Sequence, residues 1–179
     1  MPYVATADHT QLYYKDWGRG RPVVLLHGWP LSADSWDDQA LALANEGYRV
    51  IAYDRRGFGR SSQPWNGYDY DTLTDDLRAV LKECQVFEGT LIGFSMGGGE
   101  VARYMSKYNG KGVAKCAFIA SIAPALRKDG NNPDGVDPAV FEGIKQAIET
   151  DRYAFLTEFL DNFFNKKLVG GSHMSKDAI

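Results

Sequence analysis

The sequence predicts an α/β protein built on a mostly parallel sheet with helices on both faces. Three observations predict it. Apolar residues switch repeatedly between a strand-like and a helix-like period along the chain. Several strand segments are continuously apolar, as strands covered on both sides are. Strand and helix segments alternate after the first two strands, which implies parallel pairing through crossover helices.

Taken in order, Tyr3 to Thr6 and Gln11 to Trp17 read as two strands around a polar turn, Ala7-Asp8-His9-Thr10. Pro22 to Leu26 is a short branched-chain run, predicted as a buried strand. Asp34 to Asn45 is predicted helical, with Trp36, Leu41, Leu43 and Ala44 apolar and Glu46-Gly47 as its stop. Tyr48 to Tyr53 is the next strand, and Thr72 to Glu83 the next helix, with Leu73, Leu77, Val80, Leu81 and Cys84 spaced by three and four. Thr90 to Gly93 (strand), Met96 to Tyr108 (helix, stopped by Asn109-Gly110) and Val113 to Ile119 (strand) complete the alternation. Val113 to Ile119 runs on into Ala120 to Ala123 with hardly a charge, so a central position in the sheet is expected.

The pattern changes after Pro124. Asp129 to Pro138 is rich in Gly, Asn, Asp and Pro and reads as a loop. Pro138 to Glu149 and Asp151 to Phe164 read as two helices with no strand between them. The expected division is therefore residues 1–125, a sheet-bearing core, and residues 126–179, an incomplete helical cap. Leu156, Phe159, Leu160, Phe163 and Phe164 form an apolar stripe that either packs the cap or lines a pocket.

Bulk composition narrows the partners. The 179 residues are 44% hydrophobic with a net charge of −3, which suits a soluble domain and gives neither nucleic acid nor an anionic membrane a basic surface to bind. No signal peptide is read at the N-terminus, and no apolar run is long enough to span a bilayer. Cys84 and Cys116 lack metal-ligand or redox spacing and are expected as free thiols in a reducing, cytoplasmic setting.

The chemistry concentrates in three motifs. Gly93-Phe94-Ser95-Met96-Gly97 lies between a predicted strand and a predicted helix, the context of a nucleophile elbow. So tight a turn holds Ser95 in strained backbone and lifts its hydroxyl out of the sheet, while the helix N-terminus aims free N–H groups at the same point. His27-Gly28-Trp29-Pro30 follows the buried strand and fits the second half of an oxyanion hole, which needs two converging N–H donors. Trp29 and Met96 are the expected donors. His27, fixed at a strand end, is expected to bond across its loop rather than act as a base. Asp54 opens Asp54-Arg55-Arg56-Gly57-Phe58-Gly59-Arg60-Ser61 and is expected to accept loop N–H groups or pair with an arginine. The GxG here lacks the third glycine of a dinucleotide site.

HGWPLSADSW (27–36), DRRGFGRSS (54–62) and GFSMGGGEVARY (93–104), in this order, resemble the α/β-hydrolase fold family. The branch they resemble is the bacterial aryl-esterases, also called cofactor-free haloperoxidases or perhydrolases. The likeness runs from about Pro2 to the end of the chain. It implies Ser95 as nucleophile, Trp29 and Met96 as oxyanion donors, and an acyl pocket near Trp29, Phe94 and Met96 under the cap. It also implies a small-molecule ester substrate and no metal or other cofactor. Some members use hydrogen peroxide in place of water and form a peracid that oxidises halide. A dehalogenase or epoxide hydrolase on this fold needs a carboxylate at the elbow, so Ser95 argues against both.

The triad order in this fold is Ser, then Asp or Glu, then His. After Ser95 the only histidine is His173, in the polar stretch Gly171 to Met174. The expectation is that the triad acid and base are absent here, that the chain is a fragment ending before the last strands, and that it works as a homo-oligomer or with a complementing C-terminal chain. An inert ligand-binding pseudo-enzyme is the alternative.

Overall fold

The computed structural model describes residues 2–122 and 125–165. His173 lies outside the described residues. The chain divides into two compact units, Met1–Ala125 and Leu126–Ile179.

The first unit carries β1 (Tyr3–Ala5), β2 (Gln11–Gly18), β3 (Pro22–Leu26), α1 (Asp37–Asn45), β4 (Arg49–Tyr53), α2 (Tyr70–Glu83), β5 (Gly89–Phe94), α3 (Met96–Tyr108) and β6 (Val113–Ile119). The six strands form one sheet in the order β1-β2-β4-β3-β5-β6. The β1–β2 and β2–β4 pairings are antiparallel, and β4–β3, β3–β5 and β5–β6 are parallel. The sequence therefore predicts the mostly parallel sheet correctly.

Side-chain alternation along the central strands divides the core in two. Val24, Leu26, Ile51 and Leu91 face Leu77, Val80 and Leu81 of α2 and Val101 and Tyr104 of α3. Val23, Leu25, Val50 and Ala52 face the other way, onto Ala33, Trp36 and Ala40 at and before α1. Continuous apolar runs arise because both faces are covered.

One element differs from expectation. The segment before α1 is a 3-10 turn, Ala33–Trp36, whose first N–H donates to the Asp54 carboxylate at 2.8 Å. Among the described residues β6 ends the sheet order, with none of the further strands that a central position expects beyond it. Val113 and Cys116 pack against the first core, while Phe118 and Ile119 are exposed. The apolar content that suggests a central strand is thus only partly used within the described residues.

The second unit contains α4 (Pro138–Phe163), interrupted at Asp151, whose φ of −155° and ψ of 95° are not helical. The Asp151 carboxylate accepts the N–H groups of Tyr153 and Ala154, each at 3.0 Å, and so caps the second segment. This break falls where two separate helices are expected. No helix of the described residues is long and apolar enough to cross a membrane.

Candidate active site

Ser95 stands between the last residue of β5 and the first of α3, at the carboxyl end of the parallel strands. Its φ is 51° and ψ −115°. A side chain at positive φ brings Cβ against the backbone, at a cost of about 1–3 kcal/mol that surrounding structure must hold in place. Three backbone hydrogen bonds do so. The Ser95 N–H donates to Ile119 O at 2.9 Å, and Ser95 O accepts from Gly98 N–H at 3.0 Å and Ile122 N–H at 3.3 Å.

The turn closes only because glycine flanks it. A Cβ at Gly93 would lie 2.5 Å from Gly97 O, and one at Gly97 would lie 2.4 Å from Leu26 O. Strand β5, helix α3 and the end of β3 are thereby in backbone contact. Met96 opens α3, so its N–H is among those that a helix leaves without an internal partner. The Tyr70 hydroxyl donates to Met96 O at 3.2 Å and ties this first turn to α2.

The loop after β3 lies against the same corner. A Cβ at Gly28 would sit 2.9 Å from Cδ1 of Phe94 and 3.2 Å from Cβ of Ser95. The half-buried Phe94 ring also meets Trp36 edge-on, with centroids 6.4 Å apart. The loop turns sharply, with Leu31 N–H donating to Gly28 O at 3.0 Å and a cis Trp29–Pro30 peptide. The residues expected at the site, Trp29, Phe94, Ser95 and Met96, thus belong to two adjoining segments at one end of the sheet. In Gly28→Ala the new methyl meets the Phe94 ring first, so ring or loop has to give way, and the denaturation midpoint should fall. Urea denaturation measures this.

His27 is buried at 1% exposure and holds the loop. Its Nε2 accepts the Arg55 N–H at 3.1 Å, so Nδ1 carries the proton and donates to Gly28 O at 2.8 Å. The 3.4 Å approach of an Arg55 guanidinium nitrogen to Nδ1 then joins two donors and is not a hydrogen bond. Burial, and then the charge of Arg55, push the imidazole well below its usual titration range. It is therefore neutral in the folded protein, while the unfolded chain takes up a proton below pH about 6.5. Its contribution to stability is complete above that pH and is lost as pH falls, at about 1.4 kcal/mol per pH unit until the depressed folded value is reached. Urea denaturation at pH 7.0, 6.0 and 5.5 should show a loss of about 1.3 kcal/mol across that range, and His27→Gln should flatten it.

Asp54 does both things expected of it. It accepts the N–H groups of Ala33 at 2.8 Å and Arg60 at 2.7 Å, and it pairs with the Arg60 side chain at 3.0 Å. Arg56 is clamped between Asp76 and Asp8. Sequence reasoning does not single out Glu100 or Tyr53. Both are buried below the loop, where Glu100 accepts hydrogen bonds from Arg55 Nε at 2.7 Å and from the Tyr53 hydroxyl.

Fold and site together define an α/β protein with a strained serine at the top of a parallel sheet, facing a glycine loop. The chain belongs to the alpha/beta hydrolase fold family, whose model matches residues 21–167. It is 42% identical to a non-heme chloroperoxidase of Kitasatospora aureofaciens over 99% of this chain and 66% of that one. It is 45% identical to a bifunctional esterase/perhydrolase of Acinetobacter calcoaceticus over 87% of this chain and 57% of that one. Among solved structures, the bromoperoxidase of Bacillus anthracis superposes with a TM-score of 0.82 at 51% identity, over 87% of this chain and 58% of that one. The chain spans about two thirds of the length of curated relatives it matches, such as the non-heme chloroperoxidases and haloperoxidases.

Proposed function

We propose that this chain carries the nucleophile and oxyanion hole of a serine carboxylic-ester hydrolase acting through an acyl-enzyme in the cytoplasm. Ser95 Oγ adds to the ester carbonyl carbon. The oxygen that becomes negative is held by the N–H groups of Trp29 and Met96, and Trp29, Phe94 and Met96 border the acyl group. The alcohol leaves with a proton, and water then releases the carboxylic acid. Hydrogen peroxide in place of water releases a peracid, the chemistry suggested by the esterase/perhydrolase relative. Oxyanion stabilisation of this kind is the largest single contribution in many acyl-transfer enzymes.

The observation that carries the reading is the positive φ of Ser95 against the glycine loop, a strained serine facing a second potential donor segment. Both ring nitrogens of His27 are engaged in the loop, so the reading assigns it no proton transfer. The triad acid and base are assigned to the part of the relatives' length that this chain does not match. On its own, the 179-residue chain should turn over esters at most about a thousandfold above water, the level an oxyanion hole and binding supply without a triad.

Incubation with a fluorophosphonate followed by peptide mass analysis tests the assignment. One adduct, on Ser95, is expected in a form of the protein extended to the relatives' length. Absence of any adduct there overturns the serine mechanism, and retained ester without product would move the reading to a binding protein. In the extended form, peracetic acid appearing from acetate and peroxide would establish the perhydrolase activity.

A further inference from the structure

The two proposed oxyanion donors sit on different elements. Trp29 follows β3, and Met96 opens α3. Nothing in the local chain fixes the distance between them, yet a hole for one oxygen works only if both N–H groups are held within a few tenths of an ångström. A buried path of charged and polar groups joins the two segments. Glu100 lies one turn along α3 from Met96, on the same side of the helix. Its side chain is fully buried, and one carboxylate oxygen accepts from Arg55 Nε at 2.7 Å while the other accepts from the Tyr53 hydroxyl. Arg55, also buried, donates through a terminal nitrogen to His27 O at 2.9 Å and through its backbone N–H to His27 Nε2 at 3.1 Å. His27 Nδ1 in turn holds Gly28 O at 2.8 Å, one residue before Trp29.

We propose that Glu100 and Arg55 form a positioning clamp that sets the Trp29 loop against the start of α3 and so fixes the width of the oxyanion hole. The inference rests on the serine-hydrolase reading above and names residues that take no part in bond making. A buried ion pair of this kind is a poor source of net stability, since desolvation offsets the attraction and apolar side chains of similar volume serve as well. Its distinctive product is geometry. Arg55 presents donors in a rigid planar fork, so fixing Glu100 fixes where His27 O must lie.

The test separates placement from stability. Phenylboronic acid is the probe. Ser95 Oγ bonds to the trigonal boron, its proton passes to solvent, and the boron becomes a tetrahedral anion whose hydroxyl occupies the oxyanion position. Its affinity for a form extended to the relatives' length is read by boron NMR in the parent, in Ser95→Ala, in Glu100→Gln and in the double variant Arg55→Met/Glu100→Leu. The double variant replaces the pair with apolar side chains of similar volume. It also takes their partners from His27 O and the Tyr53 hydroxyl, so it should melt several degrees below the parent while still unfolding cooperatively. Both clamp variants should bind the boronate about tenfold or more weakly, as expected for a displaced oxyanion donor. Parent-like affinity in both folded variants overturns the clamp and leaves the serine reading standing. Failure of both variants to fold also overturns it, because the charges would then serve stability rather than placement. If the parent binds no better than Ser95→Ala, the serine reading falls and the clamp with it.

Discussion

Ser95→Ala is expected to abolish fluorophosphonate labelling and, in a form extended to the relatives' length, to lower ester turnover by on the order of 10⁵-fold or more. The size follows from the chemistry. Alanine leaves the oxyanion donors and the fold in place and removes the only atom proposed to bond to the acyl group, so what remains is hole and binding alone. The substitution also reports on strain. Alanine keeps a Cβ at a φ of 51°, so it should leave stability close to that of the parent. Ser95→Gly is equally inactive but relieves the clash. It should unfold at higher denaturant than Ser95→Ala, by about 1 kcal/mol after allowing for the freedom glycine gains when unfolded. Equal midpoints for the two would argue that the turn is relaxed. Undiminished turnover in Ser95→Ala would end the nucleophile assignment.

Gly97→Ala should destabilise the fold and disturb the site together. Its Cβ would meet the carbonyl oxygen of Leu26 at 2.4 Å, a backbone atom locked in the β3–β4 and β3–β5 pairings. Neither side can yield without moving α3 or β3. Overpacking of this kind costs about 1–3 kcal/mol, and it tilts the helix whose first N–H is one of the two proposed donors. Loss of stability and loss of labelling should therefore appear together. Gly143→Ala provides the contrast, since nothing lies within 4 Å of a Cβ there. Denaturant midpoints should fall for Gly97→Ala and not for Gly143→Ala. A parent-like midpoint for Gly97→Ala would mean that the close approach of α3 to β3 does not constrain the turn.

Most of the sheet was legible because its signals are local. Pro22–Leu26 and Val113–Ile119 read directly as branched or apolar runs, and both are strands with those bounds. The Gly93 to Gly97 turn was legible because glycine has to appear wherever two backbones touch. The two helices expected on either side of residue 151 appear as one element broken by an aspartate cap. What escaped depends on partners far apart in sequence. The Ala33 N–H at the start of the 3-10 turn donates to Asp54, 21 residues away. Glu100 left a fainter trace. It falls on the helical stripe Gly97, Val101, Tyr104 that the core buries, and a carboxylate on such a stripe needs a cation. Which cation, and that it would be Arg55 holding the His27 loop, emerges only when β4 and α3 are brought side by side.

The amide of Ser95 is secured to the carbonyl of Ile119, and its own carbonyl to the amide of Ile122, so the corner is sewn to the outermost strand described here. Any opening of β6 unfastens residue 95 as well. Deuterium uptake at the two amides should consequently run in step. The lifetime of the poised hydroxyl is then governed by how firmly β6 is held in place.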